Sequence, residues 1–149
     1  MKNTLLLTFL ISIGGCATVG IAPPIPKPQE SEHFRTEGGG FNMNESIVTC
    51  HITYTIKTQF QNNLKAKIEF ENPVRGQEPL YTETNINIGD KELTVTSPPY
   101  PGIKNNKNYA VVLRVYDEEE LVAEHKNDVQ FALPEQILLQ LMERGVKFY

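Results

Sequence analysis

Tryptophan is absent from this chain, and cysteine, histidine and methionine are scarce: two, three and three among 149 residues. The histidines (His33, His51, His125) and cysteines (Cys16, Cys50) fall far apart, with no zinc-ligand spacing among them. There is no Gly-x-Ser-x-Gly elbow and no glycine loop of the phosphate-cradling kind. Acidic residues outnumber basic ones by 18 to 14, for a net charge of −4, and no basic cluster interrupts them. That excludes the electrostatic footprint of a nucleic-acid binder. The apolar run at residues 5–13 is broken by Thr8 and Ser12. It is too short to cross a bilayer core of about 30 Å, which takes about 20 residues. Nothing here predicts an enzyme, a metal site or a cofactor.

What the first residues do contain is ordered. Lys2 supplies a positive start, the short apolar run follows, and Ile13-Gly14-Gly15-Cys16 closes the segment. A basic start and a short apolar region are the parts of a secretory signal. The aliphatic-Gly-Gly-Cys order resembles the lipobox of bacterial lipoproteins. The resemblance implies a signal peptide over residues 1–15, cleaved so that Cys16 becomes the N-terminus and carries a diacylglycerol thioether and usually an N-acyl chain. Each buried CH₂ is worth about 0.8 kcal/mol, so two or more chains hold firmly. Ala17 implies sorting to the outer membrane, with the domain facing the periplasm. Acylation of Cys16 would leave Cys50 without a disulfide partner, so the fold has to hold by packing alone.

About 134 residues remain after such a cleavage, enough for one domain and a tether. Residues 16–40 read as that tether. Pro23, Pro24, Pro26 and Pro28 favour an extended spacer rising about 3.1 Å per residue, and Gly38-Gly39-Gly40 reads as a flexible joint. Phe34 and Phe41 are unusual in a linker. Residues 41–149 read as the domain. Val48, Cys50, Ile52, Tyr54 and Ile56 alternate with polar neighbours, as do Leu64, Ala66, Ile68 and Phe70. A more polar strand follows at residues 80–88, suited to an edge, and a short one at 93–96. Residues 109–116 are apolar on both faces, which suits a central strand. Residues 121–131 form a last strand whose pattern slips near Asn127 and Asp128, suggesting a bulge.

Short strands with regular turn punctuation predict a mainly β protein, an antiparallel β-sandwich of six to seven strands. Residues 103–116 resemble the corner and F strand of immunoglobulin-like or fibronectin-type-III-like domains, with Tyr109 at the tyrosine-corner position. The Trp and the Cys pair of true immunoglobulin domains are not all present. One short C-terminal helix is expected at about residues 134–144, with Pro134 at its start, Glu135 and Arg144 suiting its dipole and Gly145 as cap. Its apolar residues are Ile137, Leu138, Leu141 and Met142, with Leu139 to the side.

Two segments stand out as partner contacts. One is the loop Pro98-Pro99-Tyr100-Pro101-Gly102, where prolines limit the entropy lost on binding and Tyr100 offers amphipathic area. The other is the helix face of Leu138, Leu141 and Met142. Cys50 alternates with core residues and is expected to be buried and inert. His125 is expected to face away from Glu124, and Asp117-Glu118-Glu119-Glu120 to be a solvated turn. The function expected from these residues is a non-enzymatic, membrane-anchored module that binds another envelope protein, such as an accessory of a secretion, pilus or surface machine. The alternative is an inhibitor of a hydrolase such as lysozyme or a protease, with the proline loop as plug.

Overall fold

The computed structural model describes residues 29–149. The signal segment, Cys16, Ala17 and the proline run lie outside the described residues. Seven strands and one helix follow in order: β1 (Phe34–Asn44), β2 (Ile47–Ile56), β3 (Leu64–Phe70), β4 (Leu80–Ile86), β5 (Glu92–Thr96), β6 (Lys107–Asp117), β7 (Glu120–Phe131) and α1 (Glu135–Glu143). They form two antiparallel sheets, one ordered β1-β2-β5 and the other β4-β3-β6-β7. Their inner faces share one core, in which Ile52, Tyr54, Ile68, Phe70, Tyr109, Val111 and Leu113 are buried. The protein is a β-sandwich with a short C-terminal helix.

Period-two alternation explains most of this. The apolar residues that alternate inward in β2 and β3 are buried, as are Tyr109, Val111, Leu113 and Val115 of β6, while on its other face Ala110 is exposed and Val112 and Tyr116 are half-buried. β6 lies between β3 and β7 and is central, whereas β4, with Ile86 its one buried residue, is an edge. The chain crosses between sheets after β5, and the crossing is pinned by a tyrosine corner: the Lys104 backbone N–H donates to Tyr109 Oη at 2.6 Å. At the β6–β7 hairpin, Glu118, Glu119 and Glu120 are exposed, as a solvated turn requires.

Two expectations are corrected. β1 starts inside the segment expected as tether, so Gly38-Gly39-Gly40 is strand and not joint. Its backbone pairs with β2 from Phe34 opposite Ile56 to Asn44 opposite Ile47. The absence of a side chain at position 39 has a packing reason. A Cβ on Gly39 would stand 3.1 Å from Val129 Cγ2 and 3.2 Å from Ile52 Cγ1, so glycine lets β1 close onto β7. The second correction concerns β7. Its register shift lies opposite Val115 and Tyr116, where Val122 is the extra residue, and not at Asn127. Inward positions of β7 are Ala123, His125, Asn127, Val129 and Phe131, an unbroken alternation that carries two polar side chains into the core.

The chain ahead of β1 is also ordered. Residues 29–36 form a tight turn in which the Thr36 N–H donates to Gln29 O and the Ser31 N–H to Phe34 O, both at 2.8 Å. The C-terminus is pinned as well. After α1, the Val146 N–H donates to Leu141 O and the Gly145 N–H to Met142 O, with Gly145 at φ 89°, which is a Schellman cap. The tail then pairs in parallel beside Ile103, and the Tyr149 N–H donates to Ile103 O at 3.0 Å.

Candidate functional site

One end of the sandwich gathers both segments expected as contacts. Here lie α1, the C-terminal tail, the β1–β2 turn and the proline loop. The tail joins them: Tyr149 Oη donates to Pro101 O at 3.4 Å, and its ring lies against Gly102. Asn105 ties the segment before α1 to the β5–β6 crossing, accepting from the Leu133 N–H at 2.9 Å and donating to Leu133 O at 3.1 Å. The C-terminal cap of α1 sits beside Ser46 of the β1–β2 turn.

The side chains expected at this surface divide sharply. Tyr100 does not project. It is 5 % exposed, its N–H donates to Val48 O at 2.8 Å, and its ring packs edge-on against Phe41 and Tyr109. Burial pushes its hydroxyl far above the ordinary tyrosine range. The loop is extended at Tyr100 and pairs with β2, so alternation turns this side chain inward and leaves Pro99 and Pro101 exposed. Leu138 and Leu141 are half-buried against the core. Met142 is not: it is 54 % exposed, and Leu139 and Ile137 are 55 % and 40 % exposed. At about 100° per residue, the apolar arc of α1 is wider than the side on which Leu138 and Leu141 meet the sandwich. Two apolar shoulders are left, Ile137 on one flank and Leu139 with Met142 on the other. Sequence reading identified the stripe but not how much of it the domain covers.

Charged side chains on the outer faces of β3, β6 and β7 pair with one another. A cleft of about 550 Å³ opens between the β3–β4 loop and the outer face of β6. Glu71 there accepts from the Ala110 N–H at 3.0 Å and from Lys107 Nζ at 2.5 Å. Burial alone would raise its pKa, but these two donors hold it below the ordinary carboxylate value. Glu69 accepts from Arg114 Nη1 at 2.7 Å. Glu124 faces outward to Arg114 and Lys126, while His125 on the same strand faces inward, as alternation requires. Among the described residues no group of three His, Cys, Asp or Glu side chains converges as metal ligands would.

Cys50 is fully buried, and burial pushes its thiol up to about 12. A thiol reagent at about pH 8 will therefore leave Cys50 of the folded chain unmodified and label it after denaturation. Labelling of the folded chain at the rate of a free thiol would contradict this burial.

Sequence reasoning missed one polar cluster. His125 is 2 % exposed, with Nε2 2.8 Å from Thr36 Oγ1 and Nδ1 3.0 Å from Ser31 Oγ. Beside it, Tyr54 Oη donates to Asn127 Oδ1 at 3.0 Å. The one available signal was the pair of polar residues on the inward alternation of β7, which reads equally well as a slip in register. No protein-family model matches this sequence, and no curated protein matches it.

Proposed function

We propose that this chain is a lipid-anchored envelope protein without catalytic activity, which holds a β-sandwich off the membrane and offers its helix end to another envelope protein. The observation that carries the proposal is the separation of the two ends. The described chain starts beside Thr36, near the beginning of β1, whereas α1 caps the end where β1 finishes. Eight residue steps from Thr36 to Asn44 at about 3.3 Å each put roughly 26 Å between those ends. A tether attached at Cys16 would thus hold one end, and the apolar shoulders of α1 would stand at the other. Exposed apolar side chains grouped on one element mark contact surfaces more often than scattered ones do. The hydrolase-inhibitor alternative needs a projecting plug, and with Tyr100 buried the loop offers only Pro99 and Pro101 for that task.

Affinity purification from detergent-solubilised envelopes tests the proposal. The wild-type chain should recover one stoichiometric partner, and Leu139→Glu with Met142→Glu should lose it while the domain stays folded. Cys16→Ser should move the protein from the membrane to the soluble fraction. A wild-type chain purified alone at native levels, or a Cys16→Ser chain that still sediments with membranes, would overturn it.

A further inference from the structure

His125 is the one buried histidine that the proposed function does not use. Among the described residues its two ring nitrogens touch only hydroxyls: Thr36 on β1, and Ser31 in the turn ahead of β1. A neutral imidazole donates from one nitrogen and accepts at the other, and a hydroxyl satisfies either role. An imidazolium donates from both and needs a counter-charge, and among the described residues none faces the ring. β2 contributes Tyr54, held neutral by burial, and just past its end Lys57 donates from its ammonium to Ser31 O at 2.8 Å. Glu30 is 3.7 Å from that ammonium, and Glu32 is 3.9 Å from the His33 ring, so neither carboxylate is directed at His125. β1 contributes Phe34 and Thr36, with Arg35 and Glu37 bonded to each other at the surface. β6 places Leu113 opposite His125. On β7, Asn127 faces inward, while Glu124 and Lys126 pair with each other outside.

Residues 29–33 cover this ring and hold on by polar contacts. The Asp128 N–H donates to Gln29 Oε1, the Thr36 N–H to Gln29 O and the Lys57 N–H to His33 O, each at 2.8 Å. None of these five residues belongs to the hydrophobic core. A segment tied by exposed hydrogen bonds and little apolar burial opens at low cost.

We propose that residues 29–33 are a clasp that opens on acidification, when His125 takes up a proton and can be solvated only if the clasp lifts away. Burial first, and then Lys57, lowers the pKa of the covered ring from the ordinary histidine value of 6.5. The open form binds the proton more readily, so the closed form is fully favoured above 6.5 and loses ground as pH falls below it. Opening hands five residues to the tether, an extra reach of about 16 Å at about 3.3 Å per residue. That consequence rests on the anchored function proposed above, but the opening itself does not.

Hydrogen exchange of the full chain tests it, read at the Asp128, Thr36 and Lys57 amides. Their protection factors should fall about tenfold or more between about pH 7 and about pH 5, while β6 amides keep theirs. In His125→Gln the three amides should be equally protected at both pH values. Three outcomes would overturn the proposal: unchanged protection in the wild type, the same fall in His125→Gln, or a parallel fall throughout β6. Should the variant fail to fold, the wild-type ring decides. Its titration must track the loss of Asp128 protection, and a ring that protonates with the clasp amides still protected refutes it. No membrane is needed, so failure here is separable from failure of the anchor.

Discussion

Phe34→Ala should cost the domain about 3–5 kcal/mol, the usual range for removing a buried aromatic. The ring is fully buried, with Tyr54, Phe60 and His125 at centroid distances of 6.4, 6.2 and 6.3 Å. Domains of this size are stable by about 5–15 kcal/mol in total, so the variant would sit close to its unfolding threshold. Urea unfolding of the wild type and the variant, compared at equal slope, measures the difference. The result separates two views of the same residue. In a tether, a phenylalanine can be removed for nothing. As the first residue of β1, it closes the core at the end away from α1. A loss below about 1 kcal/mol would return position 34 to the tether.

Tyr109→Phe removes a single oxygen and should cost about 0.5–1.5 kcal/mol, the net worth of a typical hydrogen bond, because the part-buried bond from the Lys104 N–H is lost. The ring stays, along with its packing against Phe41 at 5.6 Å and Tyr100 at 5.8 Å. What goes is the acceptor for the Lys104 N–H, in a connection that crosses from one sheet to the other. The deletion therefore reads the corner bond with little contribution from packing. A variant within about 0.5 kcal/mol of wild type would mean that water satisfies Lys104 equally well and that the corner contributes nothing to stability.

How much could be seen in advance depended on whether the residues advertised their faces. β2, β3 and β6 place apolar and polar residues in strict alternation, and their positions, their burial and the central place of β6 were legible. So were the edge character of β4, the glycine cap of α1 and the opposite facing of Glu124 and His125. β1 was hidden because three successive glycines carry no hydrophobic signal, and because Thr36, which faces inward, is satisfied by a histidine 89 residues away. β7 seemed to slip for the same reason, since His125 and Asn127 occupy core positions that a period-two pattern expects to be apolar. Tyr100 was misjudged because a proline-rich stretch reads as loop, whereas the Val48 carbonyl fixes it as extended backbone and so turns the ring inward. For α1 the stripe was plain and its coverage was not, because coverage belongs to the neighbours and not to the helix.

The closure of β1 and the segment ahead of it onto β7 sets when folding can finish. Gln29 reaches Asp128 across 99 positions, and β1 and β7 meet through Gly39 and Val129. A nascent polypeptide still missing its final strand has nothing to close against, and topologies dominated by such distant partners mature in milliseconds to seconds. A chain with this wiring closes its sandwich only after the last strand has been made.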